Sequence, residues 1–310
     1  MKKIFVDGSA GTTGLRIFER LGKRDDVELI TISDDHRKDL SYRKEAIEKA
    51  DAAFLCLPDD AAREIVAQVN KDTVKILDTS TAHRTLPEWA YGFPELSKDF
   101  AEKIATSKRI AVPGCHASGF IALVYPLIAS GMMPKDYPVT CHSITGYSGG
   151  GKKMIAEYAD ENRDIEFSSP RQYGLSQNHK HLKEMQEICS LSMKPVFSPI
   201  VADFYSGMVV TIPLFPHLLN GKPTLSQIHE MFYEHYKNQK IVNVMPIAKD
   251  GMLGSNNLSG KDRLEIEITG NDDRIIIASR FDNLGKGSSG AAIQCMNIAL
   301  GFEETKGLDL

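Results

Sequence analysis

The first twenty-one residues constrain this chain more than any other stretch. Lys3-Ile4-Phe5-Val6-Asp7 is a short β-prone run, Gly8-Ser9-Ala10-Gly11-Thr12-Thr13-Gly14 is a glycine-rich turn, and Leu15 to Leu21 reads as a helix. A strand that turns through glycines into a helix presents free backbone N–H groups and the positive end of the helix dipole, a setting that favours a pyrophosphate. The spacing is GxxGxxG rather than GxGxxG, and glycine turns also simply join strands to helices, so the context must carry the reading. That context is consistent. A second strand spans Glu28 to Ser33, and a third apolar segment runs from Ala52 through Phe54-Leu55-Cys56-Leu57-Pro58. A helix-like stretch follows from Asp60 to Val69, and a fourth strand covers Val74 to Asp78. Such alternation implies a parallel, doubly wound sheet whose ligands sit at the carboxyl ends of the strands. Residues 1–115 are expected to form a Rossmann-type α/β domain.

With 310 residues the chain exceeds what one core usually supports, so a second domain is expected over residues 116–284. Its strand signals lie at Pro138 to Thr145, Met208 to Pro213, Ile241 to Val244, Leu264 to Thr269 and Arg274 to Phe281. Few helices separate the later ones, which predicts an α+β domain with a largely antiparallel sheet, able to offer one face to a partner subunit. A homo-oligomer, dimer or tetramer, is therefore expected. The formal net charge of -4 supplies no polybasic field for a nucleic acid. No apolar run approaches the roughly 18 residues that cross a bilayer. The N-terminus enters its first strand too early for a signal peptide, which points to the cytoplasm.

Five cysteines, Cys56, Cys115, Cys141, Cys189 and Cys295, show no CxxC pairing, so free thiols are expected rather than disulfides or a zinc knuckle. Cys115 stands apart. It follows Val112-Pro113-Gly114 at the end of the apolar strand Arg109 to Val112 and precedes His116-Ala117-Ser118-Gly119, which leads into a buried helix. At a strand-to-helix junction, unpaired N–H groups lower a thiol pKa and can hold a developing oxyanion. The other four cysteines lie in apolar or helical segments and read as core. The close pair His179 and His181, flanked by Lys180 and Lys183 and followed by Glu184, is the candidate base for that thiol. H-x-H with a nearby Glu also suits a metal, but no third ligand is evident, and exposed residues at a helix start would look the same. Beyond the second strand, Asp34 would suit the ribose 2′-hydroxyl of NAD, whereas Arg37 and Lys38 would suit the 2′-phosphate of NADP.

Gly8 to Gly14, the Phe54 to Pro58 strand end, Asp78-Thr79-Ser80-Thr81-Ala82-His83-Arg84, Tyr91-Gly92-Phe93-Pro94-Glu95-Leu96, Pro113-Gly114-Cys115 and His179-Lys180-His181 with Glu184 occur in one order. In that order the chain resembles the N-acetyl-gamma-glutamyl-phosphate reductase family, in its shorter form. Gly146 to Lys152 and Asp282 to Gly290 extend the resemblance into the second half. The chain departs from the pattern at Lys183, where many members have proline, and around His116. The resemblance implies NADPH-dependent reduction of an acyl phosphate in arginine biosynthesis, with Cys115 as nucleophile and His179 and His181 assisting. It further implies a cofactor site made of Gly8, Ser9, Ala10, Gly11, Thr12, Thr13, Gly14, Ser33, Arg37, Cys56, Leu57, Pro58, Asn283 and Gly287. Arg84, Lys152, Arg171 and Lys180 are the cationic candidates for the substrate's phosphate and carboxylate. Residues 285–310, with the apolar helix Gly290 to Leu300, are expected to return to the first domain.

Overall fold

Apolar side chains along the first strands divide between two faces, residue by residue. The computed structural model describes residues 1–248 and 251–310. It separates into two units, one of residues 1–114 and 288–308 and one of residues 115–287 and 309–310.

The first unit holds strands β1 (Lys2–Asp7), β2 (Val27–Ile30), β3 (Ala52–Leu55), β4 (Lys75–Asp78), β5 (Ala90–Tyr91) and β6 (Arg109–Ala111) in the order β2-β1-β3-β4-β6-β5. All the pairings are parallel. Successive strand side chains point to opposite faces, so Ile4, Val6, Ala52, Phe54, Leu77 and Ile110 pack on one side. Helices α1 (Thr12–Leu21), α4 (Lys98–Thr106) and α9 (Gly290–Leu300) cover that side. Phe5, Ala53, Leu55, Ile76 and Ala111 pack on the other, under α2 (Leu40–Lys49) and α3 (Asp59–Gln68). A strand buried on both faces needs apolar residues throughout, which is why Ala52 to Leu55 has no polar position.

The second unit is a mixed seven-stranded sheet whose joins are largely antiparallel, as expected. Its strands are β7 (Thr140–Gly146), β8 (Arg171–Gln172), β9 (Val196–Ala202), β10 (Met208–Leu214), β11 (Val242–Val244), β12 (Leu264–Asn271) and β13 (Arg274–Phe281), ordered β11-β12-β13-β10-β7-β9-β8. Two joins, β7 with β9 and β11 with β12, are parallel. Parallel neighbours need a crossover, and for β7 and β9 it is supplied by α6 (Gly151–Ala159) and α7 (His181–Ile188), which the pattern of late strands did not reveal.

Helix α5 (Cys115–Ala129) carries eleven buried residues, among them Phe120, Ile121, Leu123 and Val124, and lies on this sheet. A Cβ on Gly119 would come within 2.4 Å of Val210 Cγ2 and 2.7 Å of Phe281 Cε1, so the helix backbone rests against β10 and β13 where no side chain fits. Ser279 Oγ donates to the Gly119 carbonyl at 3.0 Å. Pro126 lies inside the helix, and without an N–H it leaves the carbonyl of Ala122 unbonded within the helix. Tyr236, closing α8 (Leu225–Tyr236), donates its hydroxyl to that carbonyl at 2.9 Å. The expected result of Tyr236→Phe is a loss of about 1–3 kcal/mol, the cost of stranding a buried carbonyl, read as a lower denaturant midpoint with an unchanged slope.

Candidate active site

In the first unit the glycine turn is shaped by close backbone approach. Gly8 has φ +82°, and a Cβ there would lie 2.3 Å from the Cys56 carbonyl oxygen. A Cβ on Gly14 would lie 2.3 Å from the Gly8 carbonyl oxygen. Gly11 is the N-cap of α1 and brings no capping side chain, so the N–H groups opening the helix are left for a ligand. Gly8, Ser9 and Ala10 line a cleft of about 630 Å³ together with Asp34, Arg37 and Lys38. Beneath it, the buried Arg43 holds Asp7 through Nε at 2.9 Å and Nη2 at 2.8 Å. Burial raises the Asp7 carboxyl more than Arg43 lowers it.

Arg37 and Asp34, which argued for different cofactors, form one exposed ion pair at 3.7 Å on the rim of this cleft. Ser33 is exposed beyond the end of β2. Leu57 lines the cleft, and Pro58 is the N-cap of α3. Burial pushes the Cys56 thiol up to about 12, which leaves it inert at neutral pH. Thr12 opens α1, and Thr13 Oγ1 lies 2.8 Å from Ser288 Oγ. The cradle that only glycine fits, the uncapped helix and a cleft edged with cations suit a phosphate-bearing dinucleotide.

In the second unit Cys115 is the first residue of α5 and only partly buried, whereas Cys141 and Cys189 are buried with thiols raised by desolvation. A Cβ on Gly287 would press within 3.0 Å of Cys115 Cβ, which places that glycine against the cysteine. Asn283 is buried, and its amide bridges the backbone at Gly207 and the side chain of Ser148. Its Oδ1 accepts from Gly207 N at 2.8 Å and its Nδ2 donates to Ser148 Oγ at 3.0 Å.

The two expected histidines differ. His181 opens α7 and is buried, and His179 just before it is half-buried. Their ring centroids lie 4.7 Å apart, nearly perpendicular. The backbone N–H of His181 donates to His179 Nδ1 at 3.2 Å. Desolvation, and then the charge of Lys180, depress His179 to about 4. The neutral His179 ring therefore carries its proton on Nε2.

A third imidazole joins them. His116 is 3% exposed, with its ring centroid 5.6 Å from that of His179 and 5.8 Å from that of His181. Its Nδ1 lies 2.6 Å from Ser143 Oγ and its Nε2 lies 2.6 Å from the Tyr173 hydroxyl. Sequence reasoning passed over His116, Ser143 and Tyr173. The one available signal was that His116 adjoins Cys115 in the short stretch that leads into a helix expected to be buried.

The cationic candidates are dispersed. Arg84 is buried and donates to the carbonyls of Val112 and Thr79, both at 2.9 Å, so it ties down the strand that leads to Pro113. Arg171 stacks 3.8 Å above the Phe167 ring and donates to the Tyr158 hydroxyl at 3.0 Å. Lys152 on α6 and Lys180 are exposed.

Residues 3–105 match the semialdehyde dehydrogenase NAD binding domain, and residues 115–283 match the semialdehyde dehydrogenase dimerisation domain. N-acetyl-gamma-glutamyl-phosphate reductase 2 of a Nostoc species is 44% identical over 99% of both chains. The N-acetyl-gamma-glutamyl-phosphate reductase of Brucella ovis is 45% identical over 96% of this chain and 99% of its own. Among solved structures, aspartate semialdehyde dehydrogenase II of Vibrio cholerae superposes with a TM-score of 0.73 at 14% identity, covering 97% and 98% of the two chains. The enzyme of Francisella tularensis superposes with a TM-score of 0.71 at 15% identity, covering 96% and 99%. These two share the fold. With its glycine cradle, its cysteine at a helix start and full-length identity to named reductases, the chain belongs to the semialdehyde dehydrogenase family, within its N-acetyl-gamma-glutamyl-phosphate reductase branch.

Proposed function

We propose that this chain reduces N-acetyl-gamma-glutamyl phosphate to N-acetylglutamate 5-semialdehyde with NADPH, releasing phosphate, as a step of arginine biosynthesis. The observation that carries the reading is Cys115 in the first turn of α5, in a unit that also packs three imidazoles together. It works in the cytoplasm as a homo-oligomer, dimer or tetramer, assembled through the second unit.

The Cys115 thiolate attacks the acyl carbon, the N–H groups of the first turn of α5 hold the oxyanion, and phosphate leaves to give a thioester. A dinucleotide held by the glycine turn would supply the hydride for reduction of this thioester. The resulting oxyanion then collapses, expelling the Cys115 thiolate and releasing the semialdehyde. His179 presents Nε2–H, so it serves as a hydrogen-bond donor to the substrate, and the role of base for the thiol falls to His181. Arg171, Lys152 and Lys180 supply positive charge for the phosphate and carboxylate. Gly8, Ser9, Ala10, Gly11, Thr12, Thr13 and Gly14 hold the pyrophosphate, and Arg37 with Lys38 meets the 2′-phosphate that distinguishes NADP.

The test is NADPH formation from N-acetylglutamate semialdehyde plus phosphate by the purified protein, with aspartate semialdehyde as the competing substrate. Comparable kcat/KM for the two semialdehydes would overturn the assignment. Cys115→Ser is expected to abolish the reaction, and a variant retaining phosphate-dependent turnover would remove the nucleophile from the scheme. His181→Asn is expected to lower kcat about 10²- to 10⁴-fold, as for loss of a general base, and His179→Asn only about tenfold, the size of one hydrogen bond. For the cofactor, Gly14→Ala is expected to weaken NADPH at least about tenfold by closing the turn. Arg37→Ala is expected to weaken NADPH by a similar factor while sparing NADH. Fluorescence titration of each dinucleotide measures both.

A further inference from the structure

Ser143, His116 and Tyr173 form a hydrogen-bonded chain whose direction is fixed by its buried end. Ser143 sits on β7, fully buried, and its hydroxyl meets His116 Nδ1 at 2.6 Å and no other partner among the described residues. A buried hydroxyl proton without an acceptor is costly. Ser143 therefore donates to Nδ1, and the neutral imidazole carries its own proton on Nε2. That Nε2–H lies 2.6 Å from the Tyr173 oxygen, so Tyr173 accepts from His116. The phenol is left with its own O–H to give, and no other group among the described residues hydrogen-bonds to it. His116 directly follows Cys115 at the start of α5, and the Tyr173 phenol at the far end of the chain of bonds lies near enough to Cys115 to feel its charge.

We propose that Ser143 and His116 are positioning residues that hold Tyr173 as a one-way hydrogen-bond donor toward the charge that develops at Cys115, the thiolate before attack and the acyl oxyanion after it. This rests on the reading of Cys115 as nucleophile. Two further features agree with it. Burial, and then the negative charge of Cys115, raise the Tyr173 phenol far above its ordinary range, so it stays protonated and able to donate. Burial, with His179 adding to it, depresses His116 to about 3, so the ring stays neutral and keeps one donor and one acceptor. His179 and His181 face the same imidazole from α7 and the loop before it.

The test uses the full-length protein and variants Tyr173→Phe, Ser143→Ala and the conservative Ser143→Thr. Long-range ¹⁵N–¹H spectra of wild type are expected to show His116 as the Nε2–H tautomer. Tyr173→Phe is expected to lower kcat about 100-fold with little change in KM, the scale for one oxyanion donor. It is also expected to raise the pH midpoint of Cys115 alkylation by about one unit. Ser143→Ala should move both quantities the same way, kcat by about tenfold, and Ser143→Thr should restore them. An Nδ1–H tautomer, or Tyr173→Phe with wild-type kcat and alkylation profile, overturns the proposal. The tautomer and the alkylation profile do not depend on which acyl phosphate is the substrate. A wild type inactive on N-acetylglutamate semialdehyde therefore sinks the assigned reaction while these two readouts still decide the relay.

Discussion

The contact between Gly119 and the sheet governs where α5, and with it Cys115, can sit. A helix start is useful to a nucleophile only if the helix is fixed, because an acyl carbon must be met within a few tenths of an ångström. With no side chain at residue 119, the backbone of α5 settles against Val210 and Phe281, and Ser279 bonds to its carbonyl. Tyr236 fastens the same helix at Ala122, where Pro126 breaks its internal bonding. An apolar helix carrying both a glycine and a proline looks weak by propensity. Here each irregularity is met by a partner from the surrounding sheet or helix, and together they set the position of Cys115.

The α/β class and the doubly wound sheet were legible because their signals are local. Strands buried on both faces are written as unbroken apolar runs such as Ala52 to Leu55, and the glycine turn is written in seven adjacent residues. The parallel joins of the second sheet were not legible, since strand signals give the elements and not their neighbours. Among candidate site residues, the sequence marked Cys115 and the histidine pair through their local settings. It could not mark Ser143 and Tyr173, which lie 27 and 57 positions from His116 and carry no local pattern. Arg84 illustrates the opposite difficulty. A charge within a motif invites a ligand, yet its guanidinium is engaged by the carbonyls of Val112 and Thr79.

Three imidazoles with ring centroids 4.7 to 5.8 Å apart would repel one another strongly if charged. Desolvation keeps His116 near 3 and His179 near 4. In the unfolded chain both would take up a proton around pH 6.5. The unfolded state thus binds more protons below that pH, and the contribution of these rings to stability is present above about 6.5 and lost as the pH falls toward 4 and then 3. Neutrality also fixes the proton positions. An uncharged ring can hold its proton on one chosen nitrogen, which lets Ser143 and the His181 N–H dictate how His116 and His179 present themselves.

The first unit is discontinuous along the chain. Its core includes Ala291, Ala292, Ile293, Cys295 and Met296 of α9, and Arg24 reaches Asn297 Oδ1 at 2.7 Å. During synthesis the amino-terminal residues emerge first, and the apolar layer they need for closure follows only after residues 115–287. The second unit, almost wholly contained in residues 115–287, has no such wait. The N-terminal strands are thus made well before the helix that completes their core, with the whole of residues 115–287 in between.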